Sequence, residues 1–554
     1  MGTWKSSTAA IAVILATAGT ALAAKDTVEI HDGAIGAGDT TRWTAEHIYR
    51  MHSKVFVRSG KILDIEAGTL VLADSRSDSA TVLVVCRGGK ILARGTAAQP
   101  IVFTSELDTL GFSGALSNVN LNRGLWGGLL VFGRAPNNLP GGVGNLAGDV
   151  TGDTASLSYG DSTAPNPHDN SGIIEYVSIR YTGISDKSNI KGLQLSSVGD
   201  STVVDHVEVY VSNEDGVELL GGTVNLKHVV SAFSAGDAFY YSQGYRGDVQ
   251  FLFTIQNVIP GGASNGVNTK IESGDTLLQP TSVGNLWNVT FVSTGDSTGK
   301  SFLNTYTGKY KYALVYKKDG AGTFANSIVT ETPYGGIFVD TSALKDAVKS
   351  KTSDSLGHSL VVKNNIWDRI GAGDSLVGVA MGLPYLATYL SQNTNEVVDP
   401  VLGGISWSAD KRLDPRPSST GPAYRNVATV PADGFLVQTD FRGAFGQDNW
   451  AAGWTALSVG GYFTDAANVV SAVRPVASRS AAFARIAGRS LVLELPAGSR
   501  VQVDVLDLEG RRLSEGSMEV PASGSLLLPA RIHGLAVVRV RSGDLSRNLL
   551  AQLP

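Results

Sequence analysis

A short apolar motif returns along most of this chain at a recurring phase, and that return limits the fold more than any other feature. Ile174-Glu175-Tyr176-Val177-Ser178-Ile179 is echoed by Val204-Asp205-His206-Val207-Glu208-Val209 and by Leu226-Lys227-His228-Val229-Val230. Leu286-Trp287-Asn288-Val289-Thr290-Phe291 and Lys363-Asn364-Asn365-Ile366-Trp367 repeat it further on. Counted on the first core valine or isoleucine, the steps are 30 from Val177 to Val207, 22 from Val207 to Val229, 39 from Val289 to Ile328 and 38 from Ile328 to Ile366. A second series, Leu193, Val217 and Phe239, advances by 24 and 22. Two strand families interleaved at about one coil each predict a solenoid, because every rung must present its inward side chains at the same angular position.

Within each motif polar residues alternate with apolar ones, the period of a sheet with one buried face. The predicted fold is therefore all-β, a right-handed parallel β-helix with loops inserted at the corners where steps lengthen. A β-propeller or β-sandwich is the competing architecture, but the steps are shorter than a four-stranded blade needs. Composition agrees: 65 of 554 residues are Gly and only 17% are charged, which suits tight turns and leaves little for charged helix faces.

The two ends depart from the repeat. Lys5, the apolar run from Ala9 to Leu22 and the small residues Ala21 and Ala23 predict a signal peptide over residues 1–23, with an uncleaved anchor as the alternative. The solenoid body is placed at 24–473 and a Pro, Ala, Ser and Arg linker at 474–489. Residues 490–554 then read as a small antiparallel β-sandwich, with strands around Leu491–Leu495, Val501–Val505, Leu526–Leu528 and Ala536–Val540. A formal net charge of −5 without a basic block argues against nucleic acid as a partner. Cys86 is the sole cysteine, so no intrachain disulfide forms, and its setting in Leu83-Val84-Val85-Cys86 predicts a buried, inert thiol.

Several segments carry a family likeness. Lys54–Gly60, Ile65–Thr69, Cys86–Thr96, Gln99–Ser105 and Leu125–Leu129 resemble the opening coils of a family of secreted bacterial β-helix proteins. Asp215–Asn225, Asp433-Gly434-Phe435, Phe441-Arg442-Gly443-Ala444-Phe445, Trp450 and Gly453-Trp454-Thr455 continue it in order, over roughly residues 40–460. The resemblance implies a parallel β-helix and names no activity. Val503–Arg511 followed by Gly534–Val540 resembles the sorting domain of the type IX secretion system. That implies export across a Gram-negative outer membrane by the type IX machinery and a place at the cell surface. The chain ends Ala551-Gln552-Leu553-Pro554, without the basic last residues usual in such domains.

Four acidic residues form the best candidate for chemistry. Asp215 and Asp237 are 22 residues apart, one coil, and Glu214 and Glu218 lie beside them. Stacked carboxylates repel, and a hard cation such as calcium between them would relieve the strain. The same residues also suit turns, where Asp bonds its own backbone. Lys309-Tyr310-Lys311-Tyr312 offers charge and rings for an extracellular glycan, or protects an edge strand. His206 and His228, also 22 apart, are expected to stack across coils, and no further metal ligand is evident beside them. Asp205, Asp215 and Asp237 could serve a hydrolase if they converged. Asn288-Val289-Thr290 matches a glycosylation acceptor inside a predicted strand. The function expected is a structural or adhesive surface protein presenting a face to glycan or protein, with a polysaccharide lyase or glycoside hydrolase as the alternative.

Overall fold

The computed structural model describes residues 25–36, 38–75, 80–116, 119, 122–146, 156–184, 190–257, 269–272, 278–295, 312–340, 360–464, 484–487, 490–493, 499–506, 512–521, 525–529, 534–542 and 545–553. The expected signal peptide lies outside them. Among the described residues no helix is long and apolar enough to cross a membrane.

The body is a parallel β-helix. Each coil contributes a strand to a first face, turns a corner, contributes to a second face, and then crosses to a third. Gly172–Arg180 spans the first two faces: Gly172–Glu175 pairs with Lys90–Arg94, and Val177–Ile179 pairs with Ile101–Ser105. Val203–Tyr210, Leu226–Ala232 and Asp248–Ile255 stack on it in turn, all parallel. The third face is a separate ten-stranded parallel sheet running from Lys54–Val57 to Ala380–Met381. Parallel pairing of this kind excludes a propeller or a sandwich for the body.

The register reproduces most of the spacing arithmetic. Val177 lies opposite Val207 and Val207 opposite Val229. Leu193 lies opposite Val217, and Val217 opposite Phe239. One alignment is off by a residue: Thr290, and not Val289, lies opposite Ile328. The cause is the corner at Asn288, whose φ of 52° turns the chain and moves the inward position along by one.

That corner recurs on every rung. Tyr176, His206, His228, Phe251, Asn288, Asn326 and Asn364 all have φ between 48° and 61°. The left-handed conformation costs an L-residue with a Cβ about 1–2 kcal/mol, least for Asn, so the stacked rungs must hold it in place. Asn288 is buried, with its amide donating to Thr439 Oγ1 and the Phe441 carbonyl, so its side chain is structural and no glycan acceptor. The interior is filled by Val, Ile, Leu and Phe from all three faces, in one continuous core.

Close stacking leaves no room for a Cβ where a first-face strand begins. Gly172 has φ of 120°, and a Cβ there would stand 1.8 Å from the Ile91 carbonyl oxygen. Gly172→Ala is expected to destabilise the body by about 2–4 kcal/mol, through strain plus loss of the rung contact. Thermal unfolding that differs from wild type by less than a degree would contradict this.

The rungs end at Glu396–Val397, and the chain does not go on to form another coil. Residues 398–464 form a strap that runs back over the second face. Asn364 donates to the Asn426 carbonyl and Asn326 to that of Ala428. Gln250 exchanges bonds with Val437, and Glu208 receives Ala456 and Leu457. The partners on the solenoid fall from 364 to 208 as the strap advances, so it runs against the direction of coil growth. Phe445, Ala451, Leu457, Tyr462 and Phe463 of the strap bury Tyr210, Val230, Phe253 and Val292 of the second face.

The C-terminal part has two antiparallel sheets. One holds Ala484–Ala487, Ser490–Leu493 and Ser525–Leu527; the other holds Arg500–Leu506, Arg512–Glu519, Gly534–Ser542 and Leu545–Leu553. Leu491, Val501, Val505, Leu528 and Val538 share their core. The strand Ala484–Ala487 falls within the span 474–489 read as linker, because its pairing partner Ser490–Leu493 lies just beyond.

Candidate functional site

On the third face the outward column runs Gln194, Glu218, Tyr240, Lys270, Val315, Phe338 and Met381, one residue per rung. The four acidic residues expected to act together lie here. Asp215 Oδ1 accepts the Asp237 backbone N–H at 2.7 Å, so the two are stacked one coil apart. Lysines answer them. Lys191 Nζ sits 3.2 Å from Glu214 and 3.5 Å from Asp215, and Lys270 Nζ sits 3.5 Å from Asp237 and 3.1 Å from Glu272. The neutralising role that the acidic spacing assigned to calcium is thus filled by ammonium groups of the chain. Burial disfavours the charge on Lys191, but Asp215, Glu218 and Glu214 outweigh it and drive the ammonium further toward the protonated form. Burial pushes the Glu218 carboxyl up to about 8, with Asp215 and Asp237 adding to the rise against Lys191 and Lys270.

Farther along this face the rings gather. Lys270 lies over the Tyr240 ring at 4.6 Å, and Tyr312 stacks on Phe338 at 4.9 Å with Tyr334 edge-on at 5.9 Å. Tyr312, Tyr334 and Phe338 are all partly exposed. Lys317 and Lys318 close the strand that Tyr312 opens, and Lys318 Nζ reaches Glu272 at 3.0 Å. Of the segment expected to bind glycan, Lys309, Tyr310 and Lys311 lie outside the described residues, and Tyr312 joins this ring cluster.

A second cluster stands at the corner between the first two faces. The left-handed corner residues point outward at the same angle on successive rungs, so their rings pile up. Tyr176 stacks on His206 at 4.2 Å, His206 on His228 at 4.2 Å and His228 on Phe251 at 4.9 Å. From the strap, Trp450 meets both imidazoles edge-on, and Trp454 meets Tyr176 and His206. Asp205, adjacent to His206 on the strand, has Oδ1 2.9 Å from His206 Nδ1 and 2.7 Å from His228 Nδ1. Burial works against its charge, yet those two bonds hold the carboxylate below the usual range. Burial lowers the His228 pKa, outweighing the pull of Asp205.

Residues 33–369, well over half the chain, match the pectate-lyase-like β-helix domain family. The chain belongs to that family. No curated protein and no solved structure matches it. In this pectate-lyase-like β-helix the three aspartates considered for hydrolysis are divided between faces. Asp205 lies on the first face, whereas Asp215 and Asp237 lead into the third. The spacing of 22 foretold the His206–His228 stack but not Asp205 as their common partner. That contact depends on the left-handed corner, which turns both imidazoles back over the preceding strand position. The lysines were missed for a similar reason: Lys191 and Lys270 lie outside the acidic motif and meet it only through rung register.

Proposed function

We propose that this pectate-lyase-like β-helix works outside the cell as a rigid scaffold that binds polysaccharide along its third face. The observation that carries the proposal is the ladder of partly exposed rings, Tyr312 on Phe338 with Tyr334 edge-on, bordered by Lys317 and Lys318. Aromatic faces set along a rigid axis match the apolar C–H faces of successive sugar units, and ammonium groups beside them donate to hydroxyls or carboxylates. The signal-like N-terminus and the sorting-like C-terminus support export, with the type IX machinery as the partner that carries the chain to the cell surface.

Degradation is supported less by this face. A lyase base must lose its proton near the working pH. Lys191 and Lys270 are instead shifted further toward the charged form by the carboxylates they touch. The test is affinity electrophoresis and calorimetry of the full chain against a panel of neutral and acidic polysaccharides, with release of unsaturated or reducing ends followed in parallel. At least one polysaccharide should bind, and Tyr312→Ala should weaken that binding about tenfold or more, the loss of one well-placed ring contact. Retained affinity in Tyr312→Ala, or no binding to any member of the panel, would refute the proposal. Steady release of ends would transfer it to the enzyme reading.

A further inference from the structure

We propose that Asp205, His206 and His228 form a binding site for a divalent transition-metal ion of the zinc, nickel or cobalt class. One ligand atom from each lies within 4.8 Å of the others, and among the described residues they form the one such group of three or more His, Cys, Asp or Glu side chains. The placement follows from the fold. The corner repeats every coil, so two histidines 22 residues apart project from the same edge, and Asp205 precedes the first of them on the same strand.

The donor set points to a class of ion. Two imidazoles and one carboxylate form a borderline nitrogen and oxygen set that suits zinc, nickel or cobalt. Calcium prefers six or more oxygens. Bound to one ion at about 2.0–2.1 Å each, the three donors would draw closer together than they now stand, and the stacked rings would have to splay about their side-chain bonds. All three residues are partly exposed, which leaves room for that movement. In the present arrangement Asp205 Oδ1 takes the hydrogen bonds of both Nδ1 atoms. An ion bound at Nδ1 replaces those protons, so uptake must release protons and weaken as the imidazoles become charged.

The surroundings favour the site. Tyr176 and Phe251 cap the two ends of the imidazole pair, and the edges of Trp450 and Trp454 wall it, which restricts the rings and keeps the local dielectric low. Glu175 is the register partner of Asp205 on one neighbouring rung and adds negative charge. Lys227, its partner on the other rung, has its ammonium over the Phe435 ring at 4.4 Å.

The experiment uses the untagged full chain, freed of metal by chelation and dialysis. Zinc, nickel and calcium chlorides are titrated calorimetrically, and the absorption spectrum is recorded on adding cobalt(II). The expected result is one zinc or nickel ion per chain, no calcium uptake at the same site, and a visible cobalt band. His228→Phe and His206→Phe keep a ring in the stack while removing a ligand, so the corner folds and the loss can be read as loss of the ligand. Each should weaken zinc binding at least tenfold and erase the cobalt band, and Asp205→Asn should weaken it as well. Absence of zinc uptake by the wild-type chain, or uptake unchanged in both phenylalanine variants, would overturn the proposal.

Discussion

Glu208→Ala should detach the strap from the second face and cost the body about 3–5 kcal/mol, the usual loss when one partner of a buried charged network is removed. Glu208 is fully buried and central to three connections. Its Oε2 accepts from Ser178 Oγ at 2.6 Å and from the Ala456 N–H at 2.6 Å, and its Oε1 accepts from the Leu457 N–H at 3.2 Å. Arg180, also buried, donates its Nε to the same Ser178 hydroxyl and its Nη1 to the carbonyls of Gly111 and Gly114. Truncation therefore leaves two strap N–H groups without their acceptor and a guanidinium without its countercharge. Glu208→Gln keeps the shape but has one oxygen for two N–H groups on different sides, and should lose less. Thermal unfolding and limited proteolysis of residues 398–464 read the effect together. A Glu208→Ala chain as stable as wild type, with the strap equally resistant to protease, would show that apolar packing alone holds it.

The second large effect is on pH dependence. Glu218 has its folded pKa raised above the ordinary carboxylate value, to about 8, chiefly by burial. Between about 4.5 and 8 the folded chain therefore binds this proton more tightly than the unfolded chain does. Stability contributed by the group is complete below about 4.5 and is lost as pH rises through 8. Glu218→Gln replaces the acid by a neutral side chain of the same size and removes that dependence. The variant should gain on wild type as pH rises, by up to about 4 kcal/mol at pH 8.5, at roughly 1.4 kcal/mol per unit of pKa difference. Denaturation midpoints measured from pH 5 to 9 give the comparison. Parallel curves for the two proteins would mean that Lys191 and Lys270 keep Glu218 ionised throughout.

Both effects depend on contacts between residues far apart in the chain, and this marks the division between what the amino-acid order reveals and what folding adds. Periodicity alone specified the solenoid, because apolar positions must coincide on successive coils for any rung to bury its face. It placed Leu193, Val217 and Phe239 on adjacent rungs, and it aligned Asp215 with Asp237 and His206 with His228. It failed by one residue at Asn288, where a left-handed corner interrupts the alternation without changing the local composition. The strap was not legible as such, since residues 398–464 carry no repeat; their position comes from covering an apolar second face that the coils alone leave open. Only the tertiary structure brought Lys191 and Lys270 to the acidic column and Asp205 to the paired imidazoles. Those charges meet through rung register and corner geometry, and neither is written in the spacing of any single motif.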